Sequence, residues 1–562
     1  MHVFRCLLPW LAALLVGCSS SPTTSSIPDD PAAGDAGDAG DVSHPDAIAT
    51  DASGEAADGA SDAAEPIEAS EPGPVPGFAD IHVHHLAEYA YAGAWFHGSH
   101  KGEEAVAMGA CSGGDVLGGD HARTSLSVLN EFLAQAPGTS GDTGWHFNKT
   151  HGYPEYDGWP RWDTIAHQQV WEGHLRAAHD RGLNLMLMSA VNFKPLCEIM
   201  PEANRDPGRT CDDMEAVDVQ LDAAWEFDQA RDWVEIALSP QDARRIIGEG
   251  KLAMVLAIEV SDLFPEGDWL AQLKAYHERG VRSIQLVHQL DNRFCGAAPH
   301  HWIFKVFQLL DRDTGFDLDD EGKNTKGLTV EGEALLHAMM DMGMIIDISH
   351  VSERGVKRSY ELASSRDFYP LVLSHGHFRS IMLDDKQTEE KTTPDWAVKM
   401  IRETGGMFGL RTGAEQVKTY SKSGVANDCD GSTRSLAQAF AYGTKGLKVP
   451  IALASDFNGY IAQLRPRFGG EKETCGASGD SKRIAAQQAV QASPSGTLLD
   501  TAGFGHIGIE PDVIAELKSF GLDTSPLESS AETFLRVWER GLDPDRKGPH
   551  PADDLDTSGI EP

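Results

Sequence analysis

Positive charge is scarce in this sequence. Its 562 residues carry 47 Lys and Arg against 86 Asp and Glu, for a formal net charge of −39. A surface so acidic repels polyanions, which argues against nucleic acid as a partner and against electrostatic adsorption to anionic lipid. Long apolar runs are scarce too. Only "MHVFRCLLPWLAALLVGC", at the N-terminus, is strongly apolar, and it is too short for a comfortable bilayer span. No glycine-rich phosphate loop and no GxGxxG stands between a strand and a helix, so nothing points to a nucleotide. Cysteine is sparse, eight residues in all, at spacings too wide and irregular for a zinc-thiolate cluster.

The N-terminal run has Arg5 before its apolar stretch and small residues after it, the pattern of a secretory signal over residues 1–17. Its ending, Leu15-Val16-Gly17-Cys18, resembles a bacterial lipobox. That implies lipidation at Cys18 and an exported lipoprotein, with Ser19 favouring the outer membrane, on its periplasmic or surface face. Membrane contact then comes through the lipid anchor alone. From Ser19 to Pro76 there is no lysine or arginine and almost nothing large and apolar, yet about a third of the net charge lies there. Such a segment cannot bury enough surface to offset its ordering entropy, so residues 18–76 are expected to form a disordered tether. In an exported protein Cys111, Cys197, Cys211, Cys295, Cys429 and Cys475 default to disulfides, with Cys197 to Cys211, across a short polar loop, the best-supported pair.

Beyond the tether a rhythm sets in. Strand-like runs recur as "GFADIHVH" from Gly77, "NLMLMSAV" from Asn184, "LAMVLAIE" from Leu252, "RSIQLVH" from Arg282, "GMIIDISH" from Gly343, "PLVLSH" from Pro370, "GGMFGLR" from Gly405 and "PIALASD" from Pro450. Between them lie amphipathic stretches such as "WLAQLKAYHERG" and "PDWAVKMIRETG", closing on glycine as helices with left-handed caps do. Nearly continuous apolar strands alternating with helices imply a parallel sheet buried on both faces. About eight such units predict a (β/α)8 barrel with long loop insertions over residues 77–545, with 546–562 a disordered tail.

The strand ends carry the chemistry. In order they deliver His82 and His84, Ser189 and Asn192, Glu259, His288, His350, His375, Arg411 and Asp456. In a barrel these ends converge on one face, where active sites are built. Side chains alternate along a strand, so His82 and His84 share a side while Val83 faces away. Two imidazoles with a carboxylate and further histidines suit zinc or another borderline divalent ion. His85 points elsewhere and reads as structural.

At these residues a family resemblance appears. The runs "AIEVSD", "GVRSIQLVHQLDNRF", "GLTVEGEALLHAMMDMGMIIDISHVSERGV", "PLVLSHGHFRSI" and "IALASDFNG" resemble the membrane dipeptidase (renal dipeptidase, peptidase M19) family of the amidohydrolase superfamily. The likeness spans roughly residues 77–540 and is most specific at "IDISHVS" and "LSHGHFRS". It implies a zinc-dependent hydrolase of dipeptides with two ions per chain, acting through a metal-bridged hydroxide. Carried over residue by residue, Glu259 matches the carboxylate bridging both metals, His350 and His375 the imidazoles of the second site, and His82 the first ligand of the first. His288 matches a histidine that polarises the scissile carbonyl, and Asp456 an aspartate that relays a proton to the leaving amine.

The sequence departs from that pattern in three places. His84 stands where the family has aspartate, which leaves the first site more positive and its water more acidic. The family's arginine for the substrate carboxylate has Lys386 near its place, with Arg379 matching another family arginine and Arg411 a further candidate. About a hundred residues, including "CSGGDVLGGDHA" and "GWHFNKTHGYPEYDGWPRWDTIAHQQ", separate the first two strands. At the end of that insertion His167, Gln168 and Gln169 read as a packed helix start. A second insertion around Cys429 and Cys475 reads as a disulfide-tied flap. Two other functions stay open: an amidohydrolase acting on a non-peptide amide, ester or lactone, and a non-catalytic surface lipoprotein built on a barrel. The expected partner is a dipeptide or other small molecule, and a homodimer is compatible with the sequence.

Overall fold

The computed structural model describes residues 73–93, 96, 98–109, 160, 162, 167–199, 202, 205–299, 302–467, 499, 503–551 and 555–561. The signal segment, Cys18 and the tether up to residue 72 lie outside them, as do Cys111, Cys475 and most of the insertion after the first strand. Eight parallel strands form the centre: β1 (Phe78–Val83), β2 (Leu183–Asn192), β3 (Leu252–Val260), β4 (Val281–Gln285), β5 (Ile345–Asp347), β6 (Leu371–Gly376), β7 (Met407–Arg411) and β8 (Ile451–Ala454). Each corresponds to one of the eight runs read in the sequence. The sheet closes because β2 pairs with β3 along Leu185–Asn192 and Ala253–Val260, while β1 pairs with both β2 and β8. A short strand missed in the sequence, Val234–Ile236, pairs with the start of β3.

Helices follow from local chemistry. Ser239 caps Pro240–Gly248 by accepting from the amide of Asp242, and proline at the first position gives up a donor the helix could not use. Asp212, Asp268, Thr329 and Ser352 cap four others in the same manner. Their far ends obey the glycine signal: Gly182, Gly280, Gly343 and Gly405 have φ of 111°, 99°, 67° and 68°. These are left-handed values, costly for a residue with a Cβ.

Inside the barrel Leu187, Val255, Val372 and Ala452 from four strands pack with Phe534, Leu535 and Trp538 of the C-terminal helix Ser530–Leu542. That helix meets the beginning of β1, where Ser530 Oγ accepts the Ala79 amide at 2.8 Å. The polar strand ends are thereby left free at the opposite mouth. Ala79 and Ile81 join the same cluster, yet His82 and His84 also face inward. A register shift between Asp80 and Val83 absorbs this change of parity, as bulges do where a side chain must be re-aimed.

Two expectations are corrected. The described part of the tail after residue 545 is tied down rather than disordered: Ile560 and Glu561 pair antiparallel with Tyr420 and Thr419, and the Asp556 amide donates to Gly446 O at 2.8 Å. Its composition is polar, but an unpaired strand edge and half-buried Leu555 and Ile560 hold it. Cys295 is a free, buried thiol rather than half of a disulfide, sealed beneath Gly355, where a Cβ would come within 3.0 Å of its Sγ. Cys197 and Cys211 are bonded as expected, 14 residues apart, and Cys429 is bonded to a partner outside the described residues.

One buried acid is unbalanced. No donor reaches either carboxyl oxygen of Glu510, which lies beside Asp80. Burial and the Asp80 carboxylate push Glu510 well above the ordinary carboxyl range, so the native state holds a proton that the unfolded chain releases. Its stabilising contribution is complete below the unfolded carboxyl pKa and is lost as pH rises through the folded value. Urea midpoints measured from mildly acidic to alkaline pH should fall for the wild type, and Glu510→Gln should flatten that decline; an unchanged slope would refute the assignment.

Candidate metal centre

Glu259 lies near the end of β3, on the inward alternation that carries Ala253, Val255 and Ala257 into the barrel interior. It is 1% exposed. His82 Nε2 and His84 Nε2 each stand 3.1 Å from its Oε2. On the other side His350, His288 and His375 place Nε2 at 3.3, 3.5 and 3.9 Å from Oε1. Five imidazoles from four strand ends therefore turn the same ring nitrogen toward one carboxylate. Asp456, two residues past β8, adds Oδ1 at 3.3 Å from His84 Nε2 and 3.8 Å from His82 Nε2.

The aim of these rings is fixed from behind. His84 Nδ1 bonds Ser189 O at 2.9 Å, while the Ser374 hydroxyl lies 3.0 Å from His82 Nδ1 and 3.2 Å from His375 Nδ1. Holding Nδ1 leaves Nε2 directed inward, the usual arrangement around a bound metal. Two backbones are strained for the same purpose. His350 and Asp456 have φ of 61° and 53°, left-handed conformations that cost a side-chain-bearing residue about 1–3 kcal/mol each. Neighbouring hydrogen bonds hold them there: Ala298 N to His350 O at 2.7 Å, and Asp456 N to His82 O at 2.9 Å. The loop beyond is stitched by Asn458, which exchanges bonds of 2.9 and 3.0 Å with Gln169 and donates to Gln168 at 2.7 Å. Gln168 and Gln169 thus brace the loop after Asp456, while His167 bonds Gly109 O at 3.1 Å.

These residues fit a metal. His82 Nε2 and Glu259 Oε2 are fully buried and make no hydrogen bond, although they face each other. Three sets, His82 with His84 and Asp456, His82 with Glu259 and His375, and Glu259 with His288 and His350, keep their ligand atoms within 4.8 Å of one another. Imidazole and carboxylate donors of this kind suit zinc or a similar divalent ion. Burial holds the His288 imidazole down at about 4, and burial with nearby positive charge holds His350 and His375 well below their ordinary value, so all three favour the neutral form that a metal ligand needs. Burial alone would raise Glu259, but the surrounding imidazoles hold it well below the usual carboxylate range. His84 behaves oppositely. Burial opposes its charge, yet hydrogen bonds to Asp456 and Glu259 hold its proton on up to about 10.

Two of the three cations expected to grip a substrate are elsewhere. Arg379 donates to Glu353 at 2.6 Å and to Thr392 O and Glu390 O at 2.6 and 3.1 Å, so its fork is committed to structure. Lys386 pairs with Glu389 at 3.0 Å with its side chain 41% exposed. The cluster instead contains Lys391, whose Nζ lies 3.0 Å from His375 Nε2 and contacts His350 Nε2. In "DDKQTEEKTT" the spacing from His375 singles out the earlier lysine, and no periodicity marks the later one. Arg411 does approach the centre, with Nε 3.9 Å from Asp456 Oδ2 and Nη2 2.9 Å from Glu415. His85 is buried against His100 and Phe227 with neither ring nitrogen bonded, as a structural residue.

Residues 197–464 match the family model for membrane dipeptidases, peptidase family M19. Among curated proteins, dipeptidase tcpJ of Claviceps purpurea is 23% identical over 177 residues, covering 32% of this chain and 34% of its own length. Dipeptidase 3 of Mus musculus is 25% identical over 183 residues, 32% of this chain and 31% of its own. An uncharacterised protein from the PQQ-III 3′ region of Acinetobacter calcoaceticus is 28% identical over 191 residues, 34% and 52% respectively. The chain thus spans about half or less of the length of these relatives. Among solved structures, the probable dipeptidase PvdM of Pseudomonas aeruginosa aligns at 17% identity and TM-score 0.46 over 66% of this chain and 88% of that one.

Because apo His84 carries a proton at neutral pH and a metal ligand must be neutral, loading should expel that proton. Calorimetric titration of the metal-stripped protein in buffers of differing ionisation enthalpy is expected to show about one proton released per ion bound at the His84 site. Apparent affinity should strengthen as pH rises toward about 10, and pH-independent binding would remove His84 from the ligand set.

Proposed function

We propose that the chain, of which residues 197–464 match the membrane dipeptidase model, is a diverged member of that family and a metal-dependent hydrolase cleaving dipeptides or similarly small amides. The observation that carries this reading is the convergence of five imidazole Nε2 atoms within 3.9 Å of the Glu259 carboxylate. None of those residues is needed to pack a barrel. We further propose that the protein is exported and lipid-anchored through Cys18.

The ligands would be His82, His84, Glu259 and Asp456, with His350 and His375 beyond them. The ion, zinc by the chemistry of the set, supplies Lewis acidity and an acidified water. The chain's own residues do the rest. Glu259, anionic and encircled, fixes the charge balance of the centre. His288, neutral with Nε2 directed inward, donates to or accepts from a substrate oxygen without adding charge. Asp456 is held below the usual carboxylate range, burial opposing and His84 favouring its charge, and can carry a proton to a leaving amine. Of the three cations expected to hold a substrate carboxylate, Arg411 is the one that approaches the centre, beside Asp456, although it also pairs with Glu415. That altered grip also favours a second reading, a hydrolase of another small amide, ester or lactone on the same centre.

Hydrolysis of a panel of L,L and L,D dipeptides, with and without chelator, decides between the readings. Chelator-sensitive release of amino acids is expected; a metal-loaded protein inert toward every dipeptide would shift the assignment to the second reading. Glu259→Gln should lose metal and activity together. Arg411→Met should raise KM for dipeptides by an order of magnitude or more, since a hydrogen bond to a charged group is worth about 1.5–3 kcal/mol, with a smaller effect on an amide lacking a carboxylate.

A further inference from the structure

A cavity of about 730 Å³ lies against the segments that follow β3 and β4, beside the helix Trp302–Arg312 and the stretch from Thr314 to Lys326. Asp262, Asp291, Gln308, Arg312 and Lys326 are among its walls, and no residue of the metal centre is. Its size is that of a small-molecule site.

Most of the charge around it is already spent. Arg312 bonds Asp262 and Asp311, Arg293 bonds Glu331 at 3.1 Å, and Asp317 accepts the Thr325 hydroxyl at 2.7 Å. Two opposite charges are left over. Lys326 donates to Asn292 O at 2.7 Å and has no carboxylate partner among the described residues. Asp291 accepts the Ala297 amide and Asn324 Nδ2 at 2.8 and 2.7 Å, both through Oδ1, and its Oδ2 has no partner among those residues.

These are not loose surface groups. Asp291 is 8% exposed and Gln308 2%. Gln308 Oε1 accepts the Asp291 amide at 2.9 Å and Arg312 Nε donates to Asp291 O at 3.1 Å, so carboxylate and carboxamide are held in register. That leaves Gln308 Nε2 as a spare donor among the described residues. Burial raises the Asp291 carboxyl, and the Ala297 amide, Lys326, Asn324 and Arg312 oppose that rise. Buried polar atoms are nearly always satisfied, so an acceptor and a donor left open on one cavity mark where a ligand's own groups belong.

We propose that this cavity is a second binding site, for a small zwitterion of the α-amino acid class, with the ligand ammonium on Asp291 Oδ2 and its carboxylate on Gln308 Nε2 and Lys326 Nζ. A lone cation would leave Lys326 unpaired, and a lone anion would leave Asp291 so; a molecule carrying both signs serves both. The inference does not depend on the hydrolase reading, although free amino acids are what that reaction would release.

The test is calorimetric titration of the full, metal-loaded chain with L-alanine, and with methylamine and acetate, which carry one of its charges each. Saturable alanine binding, at least tenfold tighter than either half, is expected. Gln308→Glu keeps the acceptor for the Asp291 amide and turns the spare donor into an anion, while Asp291→Asn turns the spare acceptor into a donor. Each should weaken alanine binding tenfold or more. No saturable binding, binding that both variants leave unchanged, or equal binding of methylamine or acetate would overturn the inference. Should the variants not fold, chelator-treated wild type decides: alanine affinity kept after metal removal supports the cavity, and affinity lost with the metal refutes it.

Discussion

Everything at the polar mouth of this barrel depends on keeping one carboxylate ionised out of reach of water. Moving a lone carboxylate into a protein interior costs several kcal/mol even after relaxation, and far more by simple solvation estimates. Glu259 survives because the ends of β1, β4, β5 and β6 surround it with imidazoles, none of them a near neighbour in sequence. The parallel barrel makes the compensation feasible, since closure through β2 and β3 brings residues more than three hundred positions apart to one point. The strained backbones of His350 and Asp456 are secondary costs of holding that point together.

Much of this could be read before any coordinates. The eight strands, the closing glycines, the Cys197–Cys211 bridge and the residues His82, His84, Glu259, His288, His350, His375 and Asp456 all carry a signal of fixed period or position. A barrel strand buried on both faces is a run of apolar residues, and its end is the first polar residue that follows. Lys391 had no such mark. It lies in a loop whose course is set by Arg379, Glu390 and Asn324, contacts distant in sequence and individually ordinary. Cys295 and the tail misled for a related reason. Parity of cysteines describes a population of exported proteins, not a particular pair, and polar composition says little about a segment that completes someone else's strand edge. The Glu510 and Asp80 pair was invisible because nothing in the sequence ties the start of one late helix to the first strand.

The first ligand set differs from the family pattern in one residue, and the protein compensates locally. An aspartate in place of His84 would meet Glu259 and Asp456 as a third anion. With histidine there, the metal-free centre neutralises itself by retaining a proton on His84, held by both carboxylates.

The segment from Arg379 to Thr393 that brings Lys391 to the cluster lies between barrel strands, whereas the histidines and Glu259 stand at strand ends. Connections tolerate insertion and deletion far better than barrel strands do. The amine bordering this centre is therefore the part of it that a change of loop length would move first, while the buried imidazoles and carboxylate stay where the strands put them.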